Sequence, residues 1–243
     1  TIVEKKNEKL DKLISKSEKL TMTKEKALDE STIPALETAI SDAKAARQSI
    51  PEKPLKTSDI LSVVKTLKEI NYDDIEVNLQ SKYDALEKSL KQYALVNHPT
   101  EAYVIQCLKK VPTVTGIAAA TEDNDPNGHL NKAGGYTAQV YFTSSLVNQN
   151  EVYGTSIIDK GTDAGGSIEV YATVEDAKER ENYLATLDGG IFASGSHKVI
   201  GTVLVRTSDK LTATQQKEVE ANIIAALIDL GDDEKAAEEV TVE

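Results

Sequence analysis

The chain has no tryptophan, two phenylalanines, one methionine and a single cysteine among its 243 residues. With so few large rings, any core must be built from aliphatic side chains, with nine tyrosines placing their polar ends at its edges. One cysteine excludes an internal disulfide and any zinc site that needs several thiolates. Cys107, in "EAYVIQCLKKV", falls on the apolar side of a helical pattern, where a thiol behaves as a small hydrophobic group. No apolar run approaches the roughly 18 residues that span a bilayer, and no signal peptide pattern is present. The first residue is Thr1 rather than Met, from which a processed, exported chain is expected. No complete catalytic motif occurs, so no catalytic residue is assigned.

Charge is abundant but uneven. Residues 1–97 hold 17 basic and 17 acidic side chains, whereas residues 98–243 hold 11 and 23, which accounts for the whole net charge of -12. The break suggests a helical stalk over 1–97, a head over 98–230 and an acidic tail over 231–243. An acidic head repels nucleic-acid phosphates and anionic membranes, and favours cations or basic surfaces.

The first region reads as an antiparallel helical bundle. Leu10, Leu13, Ile14 and Leu20 form one apolar stripe, and Leu36, Ala39, Ile40 and Ala43 form a second. Ile60, Leu61, Val64 and Leu67 are expected to face inward from a third helix. The longest helix carries Ile75, Leu79, Tyr83, Leu86, Leu90 and Tyr93 at alternating steps of three and four, the spacing of a packing seam. The runs "LDKLISKSEKL", "ALETAISDAKAA" and "VNLQSKYDALEKSL" resemble FIVAR-type three-helix modules, which recur as spacers in cell-wall-attached and secreted bacterial proteins. The likeness covers roughly residues 8–94, and the extra helix near 58–70 departs from it.

After Pro99 strands enter. "TVTGIAAAT", "GYTAQVYFTSS" and "GGSIEVYATV" have strand patterns, a helix "VEDAKERENYLATL" follows, then the expected strands "GIFAS" and "KVIGTVLVRTS", then a last helix with Val219, Ile223, Ile224 and Leu227 on one stripe. "GIAAAT" with "YTAQVYFTSSL" parallels "GIFASG" with "IGTVLVRTSDKL", so that Gly116 matches Gly190. Two helix-strand-strand units are therefore expected to form one antiparallel sheet with helices on one face, an α+β fold. The first unit then carries a polar insertion, and inserted loops tend to be functional.

That insertion, "TEDNDPNGHLNKAGGYT", begins like a calcium loop. Asp123, Asp125, Asn127 and Gly128 match the first, third, fifth and sixth positions of the EF-hand pattern, with His129 offering a carbonyl; the twelfth position is Gly134 instead of Glu. "DPNG" also reads as a β-turn. A second polar segment, "DKGTDAGG", places Asp159, Thr162 and Asp163 where they would share a recognition site with Asp123 and Asp125. His129 and His197 occupy matching connections and, with two aspartates, would suit zinc, although no HExxH spacing supports it. Ser196 and His197, adjacent in a strand, point to opposite faces and cannot make a nucleophile-base pair.

The segments "TEDNDPNGHLNKAGGYTAQVYF", "DKGTDAGGSIEVY" and "FASGSHKVIGTVLVRTS" are similar to a domain, with no activity attached to it, that recurs in lipoproteins and surface proteins of Gram-positive gut bacteria. The resemblance spans about 98–230 and implies export and attachment at the cell surface. The expectation is a non-enzymatic surface protein whose ligand or protein partner contacts Asp123, Asp125, Asn127, Asp159 and Asp163, with calcium held by Asp123, Asp125, Asn127 and His129. The rival expectations are a metal-dependent hydrolase acting on cell-wall material through Asp123, Asp125, His129 and His197, or a purely structural module.

Overall fold

The computed structural model describes residues 2–50, 56–189 and 195–231, the side chain of Ile2 excepted. The fold is α+β: helices come first and an antiparallel five-stranded sheet follows. Two compact units divide the chain, Thr1–Lys91 and Gln92–Glu243.

In the first unit, α1 (Ile2–Thr21), α2 (Thr32–Ala46) and most of α4 (Asp73–Val96) bring their apolar stripes together. Leu10, Leu36, Leu79 and Leu86 are fully buried at the centre. Tyr72 donates its hydroxyl to Asn7 Oδ1 at 2.8 Å and accepts from the Gln48 amide, and Ser89 accepts from the Asp29 amide. The third helix, α3 (Thr57–Glu69), behaves differently from its expected inward stripe. None of its residues is buried, and Leu61 is 67% exposed, because the three longer helices already enclose one another. Among the described residues, no helix is long and apolar enough to cross a membrane.

The second unit contains α5 (Glu101–Lys109), β1 (Val114–Ala119), β2 (Tyr136–Ser144), the single turn α6 (Ile157–Lys160), β3 (Gly165–Tyr171), α7 (Val174–Ala185), β4 (His197–Ile200), β5 (Val203–Thr207) and α8 (Ala213–Leu227). Hydroxyl caps start the helices, with Thr100, Thr173 and Thr212 each accepting from an amide three residues on. Strand order is β1-β2-β3-β5-β4, antiparallel throughout, so β3 is flanked by two strand pairs that each follow a helix. The run read as one strand, "KVIGTVLVRTS", is in fact the hairpin β4–β5: Ile200 pairs with Val203 across Gly201 and Thr202. Gly201 has φ +58°, which the first central position of such a two-residue turn requires. The expected strand at 190–194 and the acidic tail beyond Gly231 lie outside the described residues.

The sheet has two chemically different faces. Val140, Ile168 and Val205 form one buried apolar row across β2, β3 and β5. On this side α5 and α8 pack, with Cys107 buried on α5, where burial pushes its thiol pKa up. Gln139, Glu169 and Leu204 form a row on the opposite side, and Tyr141, Ser167, Arg206 and His197 form the next. Helix α7 covers that second face, with Ala177 and Leu184 packed against Tyr171 and Leu204. The helices are thus divided between two faces, where one covered face was expected, because β3 and β5 are buried along their whole length on both.

Candidate functional site

The inserted loop folds around one carboxylate. Asp125 accepts the Tyr136 hydroxyl (2.5 Å) and the Asn127 amide (3.1 Å) on Oδ1, and the amides of His129 (2.7 Å) and Leu130 (2.9 Å) on Oδ2. Burial works to raise the Asp125 pKa, but the hydrogen bonds from Tyr136 and from the Leu130, Asn127 and His129 amides outweigh it and hold the group below the ordinary aspartate value. Asn131, at φ +60°, ties the loop to Glu122 through its side-chain amide, and Leu130 tucks under it against Tyr136. Gly135 is obligatory: a Cβ there would stand 2.0 Å from the His129 carbonyl oxygen.

Asp125 serves this loop as the acceptor at the centre of a turn. The Asp-x-Asn-Gly spacing belongs to a turn in which the carboxylate gathers backbone amides, and its oxygens are already engaged by four protein donors. Asn127 turns its side-chain amide to the Tyr136 hydroxyl at 3.3 Å. Asp123 is exposed and makes no hydrogen bond or ion pair among the described residues, and His129 is exposed beside Tyr136, ring centroids 6.5 Å apart. Among the described residues, no three His, Cys, Asp or Glu side chains gather to hold a metal ion.

Nor are the two polar segments one site. The loop enters β2 at Tyr136, opposite Tyr171, whereas the segment 159–166 enters β3 at Gly165, opposite Thr143. Those are opposite ends of the β2–β3 pair, roughly 20 Å apart at about 3.3 Å per residue. Asp159 serves as the reciprocal cap of α6, accepting from Thr155 and Ser156, which lower its pKa in that order. Asp163 accepts the Ser208 hydroxyl on its main-chain oxygen, and its carboxylate lies 3.9 Å from Lys210. His197 sits on edge strand β4, three strands from β2, with Nε2 3.3 Å from Asp188, so it does not meet His129.

What the fold does assemble is a cavity of about 440 Å³ between the loop and α7. Its floor is the edge-to-face pair Tyr136 and Tyr171; Gly134 and Gly135 form one wall, and Asp176, Glu179, Arg180 and Tyr183 of α7 form the other, with His129 at the loop side. Behind the floor lies a buried charge network. Glu169, fully buried, accepts Arg206 Nη1 at 2.8 Å and the Tyr171 hydroxyl at 2.6 Å, and Arg180 Nε stands 3.4 Å from it. Burial, reinforced by the neighbouring carboxylates, raises the pKa of both Tyr171 and Tyr136, which keeps both phenols protonated as donors. Beside Glu169, the fully buried Gln139 and Ser167 have no partner for their side chains among the described residues.

Of the residues expected at a site, only His129 lines this cavity; Asp125 supports it from behind through Tyr136. Glu169, Arg206, Arg180 and Tyr171 were not anticipated. The signal for two of them is present in the sequence: "SIEVY" and "VLVRT" each place one charge inside an otherwise buried strand, and such charges must find each other. The fold is an α+β domain with a cavity on the polar face of its sheet. Comparison with protein-family models, with curated proteins and with solved structures finds no match to this chain, so its function is read from geometry.

Proposed function

We propose that the second unit is a non-enzymatic binding module whose site is the cavity between the 121–135 loop and α7. The carrying observation is that its floor and one wall are held from behind: Tyr136 by Asp125, Tyr171 and Arg180 by Glu169. Side chains fixed in this way lose little entropy when a ligand arrives, which is what a preorganised site requires. Export and attachment at a cell surface, implied by the resemblance in the sequence, belong to the same proposal, and fractionation of native cells tests them.

The test of the site is a screen of a chemically diverse small-molecule library by two-dimensional NMR of the intact chain. Binders are expected to move the signals of His129, Arg180 and Tyr183 together and saturably. Binders that move only other regions, or a library without binders, would remove the cavity as the site.

A further inference from the structure

We infer that the ligand class of this cavity is a zwitterionic α-amino acid, its carboxylate on Arg180 and its ammonium on Glu179 and Asp176. This inference rests on the cavity being the binding site. Charge balance carries it. Glu169 is shared by two guanidinium groups, Arg206 and Arg180, and one of its oxygens also accepts the Tyr171 hydroxyl. Two positive charges therefore face one negative charge below the cavity floor. Arg206 is buried and bound, so the surplus rests on Arg180, the one of the two that lines the cavity.

Arg180 is also under-satisfied. Its Nε is turned to Glu169 at 3.4 Å, which leaves the two outer guanidinium nitrogens without a partner among the described residues, and its guanidinium carbon lies 5.3 Å from the centre of the Tyr183 ring. A planar fork with two free nitrogens beside an aromatic ring matches the two oxygens of a carboxylate. A simple anion would, however, meet Asp176 and Glu179 on the same wall. Residues 176, 179, 180 and 183 recur at steps of three and four, so they share one face of α7. Glu179 makes no ion pair among the described residues and is free to accept an ammonium group. A ligand carrying both charges a few ångströms apart satisfies this wall, while an anion or a cation alone satisfies half of it. The Tyr136 and Tyr171 hydroxyls are committed inward and their rings are almost wholly buried, so the ligand's side chain extends past them towards His129 and Tyr183.

The experiment is a titration of the intact chain with each common L-amino acid, followed by NMR at Arg180 and Tyr183. For the best amino acid, the amine lacking the carboxylate and the acid lacking the amine are titrated in parallel. At least one amino acid is expected to bind saturably, and each half-molecule to bind at least roughly tenfold more weakly. Arg180→Lys, which keeps the charge and loses the fork, is expected to weaken the amino acid by about tenfold. Glu179→Gln, an exposed change that leaves folding intact, is expected to weaken the amino acid and leave the des-amino acid unaffected. A half-molecule or a neutral sugar that binds the cavity as tightly as any amino acid would overturn the inference and leave the cavity standing as a site. Silence at Arg180 and Tyr183 towards amino acids and the diverse library alike would overturn both.

Discussion

Tyr136 joins the loop to the sheet through one hydroxyl. Tyr136→Phe removes the only side-chain donor to Asp125 among the described residues and leaves the ring in place, and hydrogen bonds to charged groups contribute about 1.5–3 kcal/mol. A loss of that order in denaturant unfolding is expected. Because the Asp125 pKa is lowered in the folded state, its contribution to stability is present above the ordinary aspartate value, about 4, and is lost as the pH falls through the folded value. The stability gap between the native chain and Asp125→Asn should therefore be widest near neutral pH and close in acid. Gln139 gives the opposite sign: its amide is buried without a partner, so Gln139→Leu is expected to stabilise by about 1 kcal/mol in the same assay. At this scale the sequence was half legible. The spacing around Asp125 announced an oxygen-centred turn, but whether three amides and a phenol or a cation would fill it depends on where Tyr136 and Leu130 sit after folding. The partnership of Glu169 with Arg206 spans 37 positions and is fixed by the β3–β5 register, which no local pattern encodes.

The elements themselves followed from periodicity where it was long. The stripes of α1, α2 and α4 and the alternation of β2 were sufficient, because each buries most of its apolar side chains as the spacing requires. Helix α3 shows the limit: its stripe is as regular as its neighbours', yet a periodic face is buried only if the packing leaves room for it, and here three helices close the core without it. The β4–β5 hairpin shows another limit. A two-residue turn consumes so little sequence that apolar patterning runs through it unbroken, and only Gly201 marks the reversal. Gly201→Ala places a Cβ 2.4 Å from the Val96 carbonyl oxygen at a positive φ. A loss exceeding about 1 kcal/mol is expected by thermal or denaturant unfolding, and an unchanged midpoint would show that the turn relaxes.

Across the whole molecule, the chemistry is asymmetric. The acidic surplus belongs to residues 98–243, and the polar sheet face beneath α7 gathers the buried charges. Labelled duplex DNA is expected to show no binding by fluorescence anisotropy even at low salt, where any phosphate contacts would be strongest. Millimolar calcium is expected to leave the melting temperature unchanged, since the loop draws its closure from Asp125; a clear rise would mean that the exposed Asp123 recruits ligands beyond those described. The loop's hydrogen bonds run almost wholly between residues 121 and 136, and its two ends enter neighbouring strands already joined by their own ladder. It is consequently a self-contained cassette. Substitutions at its exposed tip, Asp123 among them, are therefore expected to leave the sheet register unchanged, whereas Leu130 anchors the cassette in the cluster beneath α7.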